Sequence, residues 1–465
     1  LLQGTGVADD SGRLKHRACP ECKGEAVNRP VQVACPAANF TPHAMGLPSP
    51  QQEQPGETMN AQTAARHAAA PQTPPLPQAK PESLGLSPAR LQRMSDTFRR
   101  EVDKGTIPGV TVLVARRGQV GWFDAIGRQS PAADAPMAHD TIFRIFSMTK
   151  PIVSIGIMML LEDGHFLLND PVAKFIPEFA ESKVGVESLG KLELVPVQRQ
   201  MTIQDLLRHT SGLTYDHTGN GPVQQLYKAS RLRSRKITNA EHATILASMP
   251  LVCQPGAEWN YSRSTDILGR IIEVVSGKPL GAFLTERILA PLQMTKTAFY
   301  TGEENAGRLA EAFEADPWTG EKTPLFNMLE RPAMESGGGG LVSTTMDYAR
   351  FAQMLVNGGT LDGTRIVGRK TLALMASDHL GPEVRVQGTM LPPGHSFGLG
   401  FAVRTQTGMA PFAGSAGQFF WSGVAGTFFF IDPSEELFAV FMSQGPGQRE
   451  YFRSLLRNGV YAALD

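Results

Sequence analysis

Net charge is the first thing this chain lacks: 44 lysines and arginines offset 44 aspartates and glutamates over 465 residues. Without an excess of basic side chains there is no surface to displace the counterions of a phosphate backbone, so no nucleic-acid partner is expected. Long apolar runs are missing too. The longest, Ile152 to Leu161, is interrupted by Ser154 and Gly156 and falls well short of the ~20 residues that cross a bilayer. No membrane span is expected. Neither Leu1 nor Met59 is followed by an apolar signal core, which makes the cytoplasm the expected compartment.

Cysteine is scarce as well. Three of the 4, Cys19, Cys22 and Cys35, lie near the N-terminus between His16 and His43. Three thiolates and an imidazole would suit a tetrahedral zinc, but the usual second C-x-x-C is absent and Pro, Gln and Gly surround the site, so no metal is assigned. Cys253 reads as a small core residue. Residues 1–82 have few aromatics, no sustained periodicity and the stretch AAAPQTPPLPQAKPE. They read as a disordered or extraneous tail ahead of a domain at 83–465.

What is present begins at Ser87. SPARLQRMSDTFRREVDKG has Pro just inside its start, apolar Leu91, Met94, Phe98 and Val102, and Gly105 past its end, the pattern of an amphipathic helix. Two β-branched runs joined by Arg-Arg-Gly follow as a hairpin. Residues 165–345 read as a mainly helical part inserted between the two α/β portions, 83–164 and 346–465. It contains a short helix at MTIQDLLRHTSGL and a longer one at ILGRIIEVVSG, which Ser264 or Thr265 would cap. After the helix MDYARFAQMLVNGG come SFGLGFAVR, AGQFFWSG, AGTFFFID and LFAVFMSQ, read as consecutive antiparallel strands whose phenylalanines fill the core on both faces. A last helix from Arg449 to Leu464 is expected beside the first.

The chain is organised around FRIFSMTKPIVSIGIMMLLEDG, residues 143–164. Pro151 has no N–H and is tolerated only in a first helical turn, so Ser147 belongs at or just before a helix N-terminus. The i, i+3 spacing puts Lys150 on the same face. A hydroxyl is a poor nucleophile until a base takes its proton, and a lysine among apolar groups near a helix N-terminus can do so. Two later segments add chemistry. Tyr261, after a Pro-Gly turn and before a helix, offers a phenol that can shuttle a proton beside a lysine. Trp421 to Gly426 reads WSGVAG, where glycine lets a substrate approach a strand edge and its N–H groups.

Taken in order, Ser147-Met148-Thr149-Lys150, Tyr261-Ser262-Arg263 and Trp421-Ser422-Gly423, with His209 to Leu213 (HTSGL) between, resemble the serine β-lactamase and penicillin-binding-protein superfamily over about residues 85–460. The likeness is greatest to the family VIII carboxylesterases, which are similar to class C β-lactamases. The resemblance implies an α+β fold, an antiparallel sheet flanked by helices with an inserted helical part. It also implies an acyl-enzyme on Ser147, with Lys150 and Tyr261 handling protons and the N–H groups of Ser147 and Val424, or its neighbour Gly423, as oxyanion hole. Trp421, Ser422, Gly423 and Arg263 are then the expected substrate contacts, HTSGL is structural, and no metal or organic cofactor is called for.

The departures narrow the substrate. Class C β-lactamases carry Tyr-x-Asn and Lys-Thr-Gly. Here Arg263 stands in the first motif, and Trp421 removes the lysine that favours a β-lactam carboxylate, though Arg263 would restore some positive field. A small-molecule ester, of short acyl chain, is therefore the expected substrate, cleaved by a carboxylesterase with at most weak β-lactamase activity. The alternatives are a β-lactamase, a D-amino-acid peptidase or amidase, an acyltransferase, and a non-catalytic penicillin-recognising scaffold or sensor. Gly394-His395-Ser396-Phe397-Gly398 also spells G-x-S-x-G, the nucleophile elbow of another hydrolase fold. It follows a Pro-Pro-Gly loop and precedes a strand, the wrong context, so Ser396 is not taken as the nucleophile.

Overall fold

Seven antiparallel strands form the main sheet, in the spatial order His395–Phe397, Ala402–Arg404, Phe419–Ser422, Phe428–Asp432, Leu437–Ser443, Gly109–Arg116, Gln119–Gly127. The first hairpin of the chain thus pairs with its last strand. The computed structural model describes residues 73–465 except 134 and 189. Cys19, Cys22, Cys35, His16 and His43 lie outside the described residues.

The two central strands Phe428–Asp432 and Leu437–Ser443 are buried along their whole length, which requires apolar side chains on both faces. Alternate residues serve opposite layers. On one face Phe441 meets Phe98 of the helix Pro88–Asp103, ring centroids 5.2 Å apart, and on the other Phe429 meets Tyr348 of the helix Thr345–Val356 at 5.0 Å. Phe419, Phe420 and Phe428 to Phe430 are all buried, as the reading of a two-faced aromatic core requires. The final helix, Arg449–Ala462, packs on the first: a Cβ on Gly459 would approach Met94 to 2.6 Å, and the Ser87 N–H donates to the Ala463 carbonyl at 2.8 Å.

Several details differ from the sequence reading. Residues 73–82, assigned to the tail by composition, lie on the sheet edge. Leu76 is buried, and the Ala79 and Val120 N–H groups donate to the Val120 and Pro77 carbonyls, covering polar groups that an edge strand leaves open. SFGLGFAVR is two strands, because the Gly398 N–H turns back to the Phe401 carbonyl. The middle part contains helices at Pro222–Ala229, Asn239–Ala247 and Ser264–Ser276, but also a β-hairpin, Lys183–Ser188 with Lys191–Pro196. The Ser264–Ser276 helix stops at Gly277, φ 69°, as read, yet its N-cap is Arg263 with no side-chain cap. Ser264 hydrogen-bonds the hydroxyls of Ser211 and Ser262 instead.

Candidate active site

The turn that carries Ser147 is built before the helix that follows it. Strand Ile142–Arg144 leads into a 3-10 turn, Phe146–Met148, and the α-helix Thr149–Glu162 starts at once, with Pro151 in its first turn. Phe146 carries φ 43°, a left-handed backbone that costs a bulky residue about 1–3 kcal/mol. Neighbouring contacts hold it there: the Ile145 N–H donates to the Leu341 carbonyl, the Leu341 N–H to Thr149 Oγ1, and the Tyr348 hydroxyl to the Met148 carbonyl. Ser147 is half-buried and Lys150 is 1% exposed.

Lys150 is satisfied on three sides. Its Nζ stands 3.4 Å from Ser147 Oγ, 3.0 Å from the Tyr215 hydroxyl and 2.6 Å from the Gly338 carbonyl. The Tyr261 ring centroid is 4.6 Å from the same nitrogen. Burial works against a charge on Lys150, but the phenols of Tyr215 and Tyr261, a hydrogen bond with the latter, and the Asp266 carboxylate prevail and hold the ammonium above its ordinary pKa. Burial pushes the Tyr215 phenol up to about 12 despite that cation.

Ser147, Lys150 and Tyr261 therefore meet in one place. Tyr215 and the Gly338 carbonyl join them, and sequence reasoning passed over both. The signal available was the HTSGL segment and its sequel. The helix Ile203–Leu207 ends early, His209 turns at φ 58°, and the chain doubles back so that the Asn260 N–H donates to the His209 carbonyl and Asn260 Nδ2 to the Leu213 carbonyl. A run of buried polar groups, His209 Nδ1 to Ser262 Oγ at 3.2 Å and Ser262 and Ser211 each 2.8 Å from Ser264, stitches the two segments together. The Tyr215 and Tyr261 rings end 5.5 Å apart. His209 itself, 4.9 Å from the Tyr261 ring, is held neutral by burial and by the Lys150 cation.

The third segment is arranged differently from the row of substrate contacts expected of it. Trp421 is buried, and its indole N–H donates to the Tyr261 hydroxyl at 3.3 Å. Ser422 is half-buried at the strand end. Gly423 permits a close approach, since a Cβ there would lie 2.5 Å from the Ile145 carbonyl beside the nucleophile turn. Its own N–H is taken by the Thr427 carbonyl and its carbonyl by Arg453 Nη2. Val424 is exposed, and no acceptor among the described residues takes its N–H. Arg263 is not a free cation in the cleft: its guanidinium lies 5.2 Å from the Tyr215 ring centroid and 3.5 Å from Asp216, which Arg233 also pairs. Ser396 sits in a strand and donates to Asp378, without the strand-to-helix turn an elbow needs.

A family model described as Beta-lactamase matches residues 94–463. The chain belongs to the beta-lactamase family. Protein Rv1367c of Mycobacterium tuberculosis is 34% identical over 75% of this chain and 88% of its own length. Esterase EstB of Burkholderia gladioli is 29% identical over 82% of this chain and 98% of its own. Among solved structures, EstCE1, a hydrolase with promiscuous acyltransferase activity, superposes with a TM-score of 0.67 at 26% identity, over 82% of this chain and 99% of the other. The mixed α+β beta-lactamase fold read from the sequence is thereby shown, and the chain is a serine hydrolase of that superfamily. No helix among the described residues is long and apolar enough to cross a membrane.

Proposed function

We propose that this chain hydrolyses small, uncharged carboxylic esters of short acyl chain through an acyl-enzyme on Ser147. The observation that carries the reading is the 3.4 Å contact between Ser147 Oγ and a Lys150 amine flanked by two phenols. Ser147 attacks the ester carbonyl while the coupled Lys150 and Tyr261 pair accepts its proton. The oxyanion rests on the N–H groups of Ser147 and Val424, the Gly423 N–H being already engaged. Tyr261 returns the proton to the departing alcohol, and water attacks the acyl-enzyme with the same pair as base.

The choice of ester over β-lactam rests on missing charge. Trp421 stands where β-lactamases place a lysine, and Arg263 is buried against Asp216 and the Tyr215 ring, so neither position offers a substrate carboxylate an exposed cation. Likeness to EstB and EstCE1 supports the same substrate class, and the acyltransferase activity of the latter makes transfer to an alcohol acceptor the second reading.

Rates on nitrophenyl acetate, butyrate and longer esters, set against a chromogenic cephalosporin, test the assignment. Faster turnover of the cephalosporin would overturn it, and an alcohol added to the assay would reveal transfer product. Ser147→Ala should abolish ester cleavage while Ser396→Ala keeps most of it; the reverse result moves the nucleophile.

A further inference from the structure

Asp266 touches neither Ser147 nor the position an ester would take, yet it is 4% exposed and lies in the first turn of the Ser264–Ser276 helix. Its Oδ1 accepts from Ser336 Oγ at 2.6 Å and from the Gly338 N–H at 2.9 Å. On the other side of the same residue, the Gly338 carbonyl accepts from Lys150 Nζ at 2.6 Å. We infer that Asp266 is a positioning residue for Lys150, acting through the Ser336–Gly340 loop. This rests on the reading of Lys150 as part of the proton-transfer pair.

The physical reason lies in the loop and in the amine. Gly337 to Gly340 are four consecutive glycines, the residue type with the greatest backbone freedom to lose. Their absent side chains let the loop press onto the helix start: a Cβ on Gly337 would fall 2.5 Å from the Thr265 carbonyl and one on Gly338 2.8 Å from Asp266 Oδ2. Such a loop holds a carbonyl in a fixed direction only if something grips it, and the Asp266 carboxylate grips the Gly338 peptide by its N–H. A lysine amine rotates freely about its last bond. With one N–H drawn to the Gly338 carbonyl and a second to Tyr215, the remaining valence points at Ser147, carrying a proton in the ammonium and a lone pair in the amine.

Asp266 also acts by its charge. Burial opposes ionisation, but His242, Arg263, the Ser336 hydrogen bond and Lys150 outweigh it and keep the carboxyl below its ordinary pKa. The groups facing it are thus His242 from the Asn239–Ala247 helix, Arg263 from its own helix start, and Lys150 and Tyr215 from the site. Tyr215, Tyr261, His209 and Asp266 in turn face Lys150. Removing the Asp266 charge makes the Lys150 proton easier to lose.

The test separates direction from charge. Asp266→Asn keeps an acceptor oxygen for Ser336 and Gly338 but not the charge, and Asp266→Ala removes both. On nitrophenyl butyrate, Asp266→Asn should move the acidic limb of kcat/KM down by about one pH unit, with KM within about twofold. Asp266→Ala should lower kcat about 100-fold. Ser336→Ala, which loosens the grip without changing charge, should lower kcat several-fold at an unmoved limb. Rates of Ser147 labelling by a fluorophosphonate should follow the same order, and they read Lys150 without any ester. A wild-type chain that labels but does not cleave esters sinks the ester reading and leaves this one standing. An unmoved limb in Asp266→Asn, or Ser336→Ala at wild-type kcat, overturns it.

Discussion

Trp421 bears directly on the substrate proposed for this cleft. A lysine at that place offers a charge to a substrate carboxylate; the indole offers its N–H to the Tyr261 hydroxyl, 3.3 Å away, and no charge at all. Trp421→Phe keeps the bulk and loses the donor. Because a hydrogen bond of this kind is worth about 1 kcal/mol, kcat on a short nitrophenyl ester should fall roughly five- to tenfold with KM little changed. The pH dependence follows from the neighbouring groups. Lys150 is held above its ordinary pKa, and Tyr215 is pushed up to about 12, so both carry their protons at neutral pH. The proposed transfer of the Ser147 proton needs Lys150 to have shed its own, so kcat/KM should climb from neutral to alkaline pH and fall in acid, as a pH–rate profile on the same ester will show. Ser147, Lys150 and Tyr261 were legible because each has a local signature: a proline four residues on, a fixed i, i+3 spacing, a turn before a helix. Tyr215 has none. It reaches Lys150 only because the segments around His209 and Asn260 pair across the fold, a contact 46 residues or more apart in the chain, and Arg263 could not be seen as buried against Asp216 and Tyr215 until both were placed beside it.

The helix Ile203–Leu207 has five residues, too few to be stable by itself. It persists because Thr202 and Asp205 form a reciprocal capping box and Asp205, fully buried, also pairs with Arg199 and Arg208 and accepts from Thr210. This element delivers the HTSGL turn, and through it Tyr215. Burial opposes the charge on Asp205, but Arg199, Thr202 and Thr210 overcome it and hold the carboxyl below its ordinary value. The stabilisation is therefore complete above the unfolded-state pKa, about 3.9, and is lost as pH falls through the lower folded value. Asp205→Asn should lower stability by about 3 kcal/mol at neutral pH, a gap that denaturant melts should find narrowing as the pH approaches 3. Elements of this middle part, and one run in the closing α/β portion, were the least legible. SFGLGFAVR reads as one strand because Leu399 and Phe401 continue its apolar pattern through the turn, and the hairpin Lys183–Ser188/Lys191–Pro196 is largely exposed, with little burial to impose alternation on its sequence.

Across the domain the site draws on segments far apart in the chain: Ser147 and Lys150 from the first α/β portion, Tyr215, Tyr261 and Gly338 from the insertion, Trp421 from the closing strands. The sheet makes this possible, since its central strands, buried on both faces, fix the layers against which each segment settles. Single elements were readable from the continuous apolar runs of those strands and the 3.6-residue pattern of the two terminal helices, whereas the fold class came from the resemblance carried by the Ser147, Tyr261 and Trp421 segments. The same sheet brings the domain's two ends together at the Ser87–Ala463 hydrogen bond, reinforced by the bridge between Leu86 and Leu464. Where a protein begins is then a matter of convention for its architecture. A gene reordered to join residue 465 to residue 73 through a flexible glycine linker, and opened at the exposed Gln387–Met390 loop, should yield a permuted chain that folds and whose Ser147 still takes a fluorophosphonate label.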